Sequence, residues 1–140
     1  MIATLQVLAV VFAAVAALIH VAIFVLESVL WPRPATWRQF GLSSQADADV
    51  MEPMAFNQGF YNLFLALGTG LGLFLLGYGN PMGGKWVLLV TLSSMVLASL
   101  VLIVSSRRLW RAALIQGVAP FLAVVFLLWA VALHAPLTVI

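Results

Sequence analysis

Four long apolar runs, each about 20 residues and divided by short breaks rich in proline, glycine and arginine, constrain this chain more than any other feature. A helix rising 1.5 Å per residue needs about 20 apolar residues to cross the ~30 Å hydrocarbon layer of a bilayer. The four runs consume most of the 140 residues and leave little for any extramembrane domain. Composition agrees, at 65% hydrophobic and 7% charged with a mean hydropathy of +1.19, where a soluble domain carries about 25% charged residues. The sequence therefore predicts an all-α fold: an integral membrane four-helix bundle, with residues 1–140 as one transmembrane domain.

The first span, over about residues 2–31, ends at Pro32 and Pro34, which cannot donate to a helical ladder. Its apolar run, residues 1–26, lacks a basic leader and far exceeds the 7–15 residues of a signal sequence, so it is expected to remain as a span. The only long polar stretch follows, at about 33–50, where Trp37, Arg38 and Phe40 combine aromatic and basic character as segments at headgroup level do. Ser44, with Asp47 three residues on, reads as a helix start, so the second helix begins near Gln45 and continues through Pro53 into a span at about 53–76. Residues 78–84, with Gly-Asn-Pro and Gly-Gly, read as a tight turn before a third span at about 86–105. Residues 105–111 turn the chain again. The fourth span, at about 112–133, contains Pro120, whose missing N–H frees a carbonyl, and His134 and Pro136 mark its exit.

Charge sorts cleanly across this layout. Arg33, Arg38, Arg107, Arg108 and Arg111 fall on the side of the first and third loops, and Lys85 alone falls on the other. The positive-inside rule places the arginine side in the cytoplasm and both termini on the non-cytoplasmic side. A pI near 9.7 is then a matter of membrane orientation, and no nucleic-acid partner is expected. With no cysteine, disulfides, thiolate metal sites and a cysteine nucleophile are excluded.

Ionisable groups within a span cost about 2.5–3.5 kcal/mol each and are functional candidates by default. The first span holds His20 and Glu27, and at 100° per residue His20, Phe24, Glu27 and Trp31 share one stripe, continued by Ala13, Ala16 and Ala17. That stripe is expected to face the bundle. Asn57, Gln58, Tyr61 and Asn62 in the second span and Gln116 in the fourth lie at similar depth, which predicts a polar pocket in the cytoplasmic half above an apolar floor. The candidate ligand-binding set is His20, Glu27, Trp31, Asn57, Gln58, Tyr61, Asn62 and Gln116, with His20 and Glu27 as the candidate catalytic groups and no metal site. Each residue also has a structural reading. Glu27 would clamp to Arg107 or Arg108, His20 would bond to Tyr61 or an amide, and the amides would join helices. Gly68, Gly70 and Gly72, like the stripe Thr91, Ser94, Ala98 and Ser105, point to close helix packing.

These residues resemble a family of small bacterial membrane proteins known as domain of unknown function number 1304. The resemblance spans nearly the whole chain. It is carried by His20, Glu27 and Trp31, by Phe40-Gly41-Leu42, by 57–62 (Asn-Gln-Gly-Phe-Tyr-Asn) followed by Phe64-Leu65-Ala66, and by Gln116-Gly117 with Pro120. Ile19 stands where the family commonly places an acid before the histidine. The resemblance implies a multi-pass protein of the bacterial inner (plasma) membrane and a shared residue set. Some members carry an epimerase label, but the resemblance establishes no activity.

Three functions remain open on the sequence. The first is binding, extending to transport, of a small or lipid-like molecule in the polar pocket; four helices form a thin wall, so transport would call for a homo-oligomer. The second is an intramembrane proton-transfer enzyme of isomerase or epimerase type acting on a lipophilic substrate. The third is a non-catalytic assembly partner. The expected partners are the bilayer, a lipophilic small molecule and further copies of the chain. No cofactor is specified.

Overall fold

A computed structural model describes residues 1–134. Helix α1 spans Ile2–Phe24 and runs on into a π-helical turn, Val25–Val29, in which the Leu30 N–H donates to the Val25 carbonyl at 2.9 Å. A short helix α2, Pro34–Trp37, and a 3-10 turn, Arg38–Phe40, end on Gly41, whose φ of 86° is a left-handed conformation that glycine adopts without strain. Helix α3 covers Gln45–Gly77, α4 covers Pro81–Ser105 and, after a 3-10 turn at Arg107–Leu109, α5 covers Trp110–His134. Pro136 lies outside the described residues, as does the His134 side chain.

The helix ends follow from local chemistry. Ser44 caps α3 by accepting from the Asp47 N–H at 3.1 Å, while its hydroxyl donates to the Asp47 carboxylate at 2.6 Å, as the Ser-x-x-Asp spacing predicts. Asn80 caps α4 by accepting from the Gly83 N–H at 2.9 Å, with Pro81 in the first helical position. The turn is consequently shorter than residues 78–84. Met82, Gly83 and Gly84 are already helical, because the cap outweighs the glycine pair. Pro53 and Pro120 both sit within continuous helices.

Each long helix packs against two others. α1 lies against α3 and α5, α4 lies against the same two, and α1 and α4 sit on the diagonal. The four thus form an up-down-up-down ring, and all four are long and apolar enough to cross a membrane. The chain is a multi-pass membrane protein. Its packing is inverted relative to a soluble bundle: the buried positions are mostly small, including Ala9, Ala13, Ala16, Ala119 and Ala123, while Leu18, Leu67, Val101 and Val104 face outward. In lipid there is no water to expel between helices, so close approach of backbones is what holds them together.

That approach is closest between α3 and α4. A Cβ on Gly72 would fall 2.8 Å from the Leu88 Cγ, one on Gly68 2.8 Å from the Thr91 Cγ2, and one on Gly84 2.6 Å from the Leu76 backbone nitrogen. The Thr69 hydroxyl donates to the Thr91 hydroxyl at 3.0 Å across the same seam. Gly70 has open space around it, since it points away from the face shared by Gly68 and Gly72. On α4 the packing positions are Leu88, Leu92, Met95 and Ser99. Ala98 and Ser105 of the predicted stripe are exposed, off the face that packs.

α3, at 33 residues, is about 50 Å long and outreaches the hydrocarbon layer. Its first turns, which carry Asp47, Asp49 and Glu52, form a platform for a second small core of Trp31, Trp37, Ala48 and Ala55. The Trp31 indole donates to the Ala48 carbonyl at 2.9 Å. The 33–50 segment is therefore more than a surface strip: Trp37 is 2% exposed, and the neighbouring Arg38 lies outside, its guanidinium 5.2 Å over the Trp37 ring. This segment caps the arginine end of the bundle.

Because the Gly84 position meets backbone, which cannot rotate away, Gly84→Ala is expected to lower stability by about 1–3 kcal/mol as an overpacked site. Gly70→Ala should match or exceed the parent, since it adds helix propensity in open space. Reversible unfolding in detergent micelles reads both.

Candidate functional site

Two regions of the bundle carry chemistry, one at each end. At the arginine end Glu27 sits in the π-helical turn, which inserts one extra residue into the ladder and turns the carboxylate toward α3. The Asn62 side-chain amide donates to the Glu27 Oε2 at 3.0 Å and to the Gln58 carbonyl at 3.0 Å, so both of its hydrogens are committed. One residue on, the Ser28 hydroxyl donates to the Phe56 carbonyl at 2.9 Å. This contact needs Gly59, because a Cβ there would lie 3.1 Å from the Ser28 Cβ and 3.2 Å from the Glu27 Cβ. Phe24 meets Phe60 edge-on, with centroids 5.2 Å apart, below the polar pair.

His20 lies two turns deeper and is 1% exposed. Its Nδ1 pairs with the Ala16 carbonyl at 2.9 Å, which puts the proton on Nδ1 and leaves Nε2 as an acceptor. Among the described residues Nε2 has no hydrogen-bond partner. Seven residues of α1, about 10 Å, separate His20 from Glu27, and each has its own partner, so the two do not form a single acid–base pair. The Ser99 hydroxyl, bonded to the Val96 carbonyl, packs against Gly117 on the neighbouring helix α5.

Of the sequence-derived set, then, the fold joins Glu27 to Asn62 and buries His20 in the interior. Trp31 belongs to the cap. Gln116 is half-buried on α5, where Pro120 removes the donor for its carbonyl. Asn57, Gln58 and Tyr61 face outward, Tyr61 with 54% exposure, because the 3.6-residue period of α3 gives the inner face to Ala55, Gly59, Asn62 and Ala66. His20 accordingly bonds to its own backbone instead of to Tyr61. Among the described residues no ion pair links Glu27 to Arg107 or Arg108; Asn62 takes that place.

The second region lies at the opposite end and was not anticipated from the sequence, which reads there as leucine, valine and alanine. A cavity of about 230 Å³ opens among α1, α4, α5 and the end of α3 at Leu76, with Gln6, Pro81 and Lys85 among its lining and Ala13, Leu92 and Ala123 deeper in. It lies inside the ring of helices, where Ala9, Ala13 and Ala123 leave space that larger side chains would fill, while the Phe12 and Phe126 rings, stacked 5.7 Å apart, join α1 to α5. Facing alanines usually signal close packing, so the sequence alone does not disclose the void. Lys85, a charge within a span, was the available signal.

The family comparison matches residues 14–128 to "Protein of unknown function (DUF1304)", and the chain belongs to that family. No curated protein and no solved structure matches it.

Removing the Asn62 amide leaves the Glu27 carboxyl without a partner in a half-buried site, so Asn62→Leu is expected to cost about 1–3 kcal/mol. Glu27→Leu on top of Asn62→Leu should cost less than the sum of the singles. A coupling below about 0.5 kcal/mol in the double-mutant cycle would show that the bond contributes little.

Proposed function

We propose that this protein binds a lipid-like molecule within the bundle, taking its hydrocarbon part into the cavity at the Lys85 end. The cavity carries the reading. A bundle packed through alanine and glycine leaves few voids, and one of about 230 Å³ with mainly apolar walls favours hydrocarbon over water. The polar groups at the other end, His20, Glu27 and Asn62, then serve as the closed side of the site, separated from the cavity by Ala16, Met95 and Ala119 of the core. The outward-facing Asn57, Gln58 and Tyr61 are better suited to headgroups or to a second copy of the chain than to a ligand inside one bundle.

Filling the void tests this. Ala9→Leu and Ala123→Leu each add volume at the cavity wall, so lipid retained through detergent purification and detected by mass spectrometry should fall at least severalfold. Equal retention by the parent and both filled variants would remove the cavity from the reading.

We further propose that the arginine end faces the cytoplasm and that both termini and Lys85 face the other side of a bacterial inner membrane. Five arginines against one lysine support this sidedness. Since the chain has no cysteine, single replacements suffice to check it. Tyr78→Cys should react with an impermeant maleimide on intact cells and Gln39→Cys only after permeabilisation; the reverse pattern would invert the topology.

A further inference from the structure

Lys85 is isolated from every acidic side chain in the protein. Glu27, Asp47, Asp49 and Glu52 all lie at or beyond the arginine end, whereas Lys85 lies one turn into α4 at the other end, roughly 30 Å away along that helix. It is half-buried and lines the cavity, and no side-chain carboxylate of the chain can reach it. The amino end of α4 adds its own partial positive charge within the same turn. Gln6 is the other polar side chain of the lining, and the rest of the wall, including Ala9, Ala13, Leu88, Leu92 and Ala123, is apolar. The site is cationic at the mouth and hydrocarbon beneath.

We infer that the cavity takes a single-chain anionic amphiphile, with its carboxylate or phosphate on the Lys85 ammonium and its chain running inward toward Ala13 and Leu92. This rests on the lipid-binding reading above and adds the headgroup and the number of chains. The dimensions favour one chain. Lys85 to Leu92 is seven residues, about 10 Å of depth. The volume of about 230 Å³ exceeds the ~150 Å³ that holds a benzene ring but falls short of the ~300–1,000 Å³ of sites for larger ligands. A two-chain lipid would have to leave one chain outside. The ammonium decides the sign of the head, because an anion there meets a charge that has no carboxylate partner among the described residues, in a partly desolvated place.

The full chain in phosphatidylcholine nanodiscs, titrated with dodecanoate, dodecyl phosphate and dodecanol and read by its melting midpoint, tests the inference. Either anionic compound should stabilise the parent at a concentration at least tenfold below that needed for dodecanol, and which of the two acts at lower concentration separates a carboxylate from a phosphate source. Lengthening the carboxylate from eight to twelve carbons should strengthen the effect by up to about fourfold per methylene until the cavity is full. Lys85→Gln should erase the preference for anions while keeping the dodecanol response, which shows that the cavity survives; Lys85→Arg should retain the preference. If dodecanol equals the anions, or if Lys85→Gln leaves their preference intact, the headgroup assignment is overturned and lipid binding stands. If none of the three stabilises the parent, both are overturned.

Discussion

Hydrocarbon offers no hydrogen bonds to a backbone, so each span must satisfy its own N–H and C=O groups, and every other property of this protein is arranged around that requirement. Four uninterrupted helices meet it, and they pass through Pro53 and Pro120 without ending. The same solvent removes the usual reason for helices to associate. Leucine is as comfortable against lipid as against leucine, so the large aliphatic side chains turn outward and the contact surfaces are left to Gly72, Gly84, Ala16 and Ala123. Specific polar contacts then fix which helices meet: Thr69 with Thr91 joins α3 to α4, and Glu27 with Asn62 joins α1 to α3.

The two ends of the bundle differ because the chain spends its extramembrane residues at one of them. At the arginine end the long first loop folds back, and Trp31 and Trp37 are buried against the protruding start of α3. The π-helical turn at the close of α1 belongs to this arrangement, since it presents Glu27 and Ser28 to α3 within two consecutive residues. At the other end α3 and α4 are joined by a turn of only Tyr78 to Asn80. Nothing comparable to the tryptophan cap is built from those residues, and the cavity lies on that side.

Polarity and space are therefore separated. His20, Glu27 and Asn62 occupy a compact half, whereas the void lies in the apolar half beneath a single lysine. A protein built to bind a polar solute would bring its amides and carboxylate to the void. Here the Asn62 amide and the Glu27 carboxylate are committed to each other across α1 and α3, Asn57 and Gln58 face outward, and the void is left to hydrocarbon.

The four long apolar helices, the start of α3 at Ser44 and the inward stripe of α1 could all be read from residue order, because each depends on local rules: length against bilayer thickness, a cap and its partner, a period of 3.6. The pairing of Asn62 with Glu27 was legible only as a shared depth, and the outward turn of Asn57, Gln58 and Tyr61 was not legible at all, since a row of amides does not say which of its members meets a neighbour. Membership of the DUF1304 family was likewise visible in the His20, Glu27 and 57–62 motifs. Tertiary structure alone decided where the empty space lies. A cavity is a property of the distance between facing helices and of the side chains that fall between them, here Ala9, Ala13 and Ala123, and no local rule contains that distance.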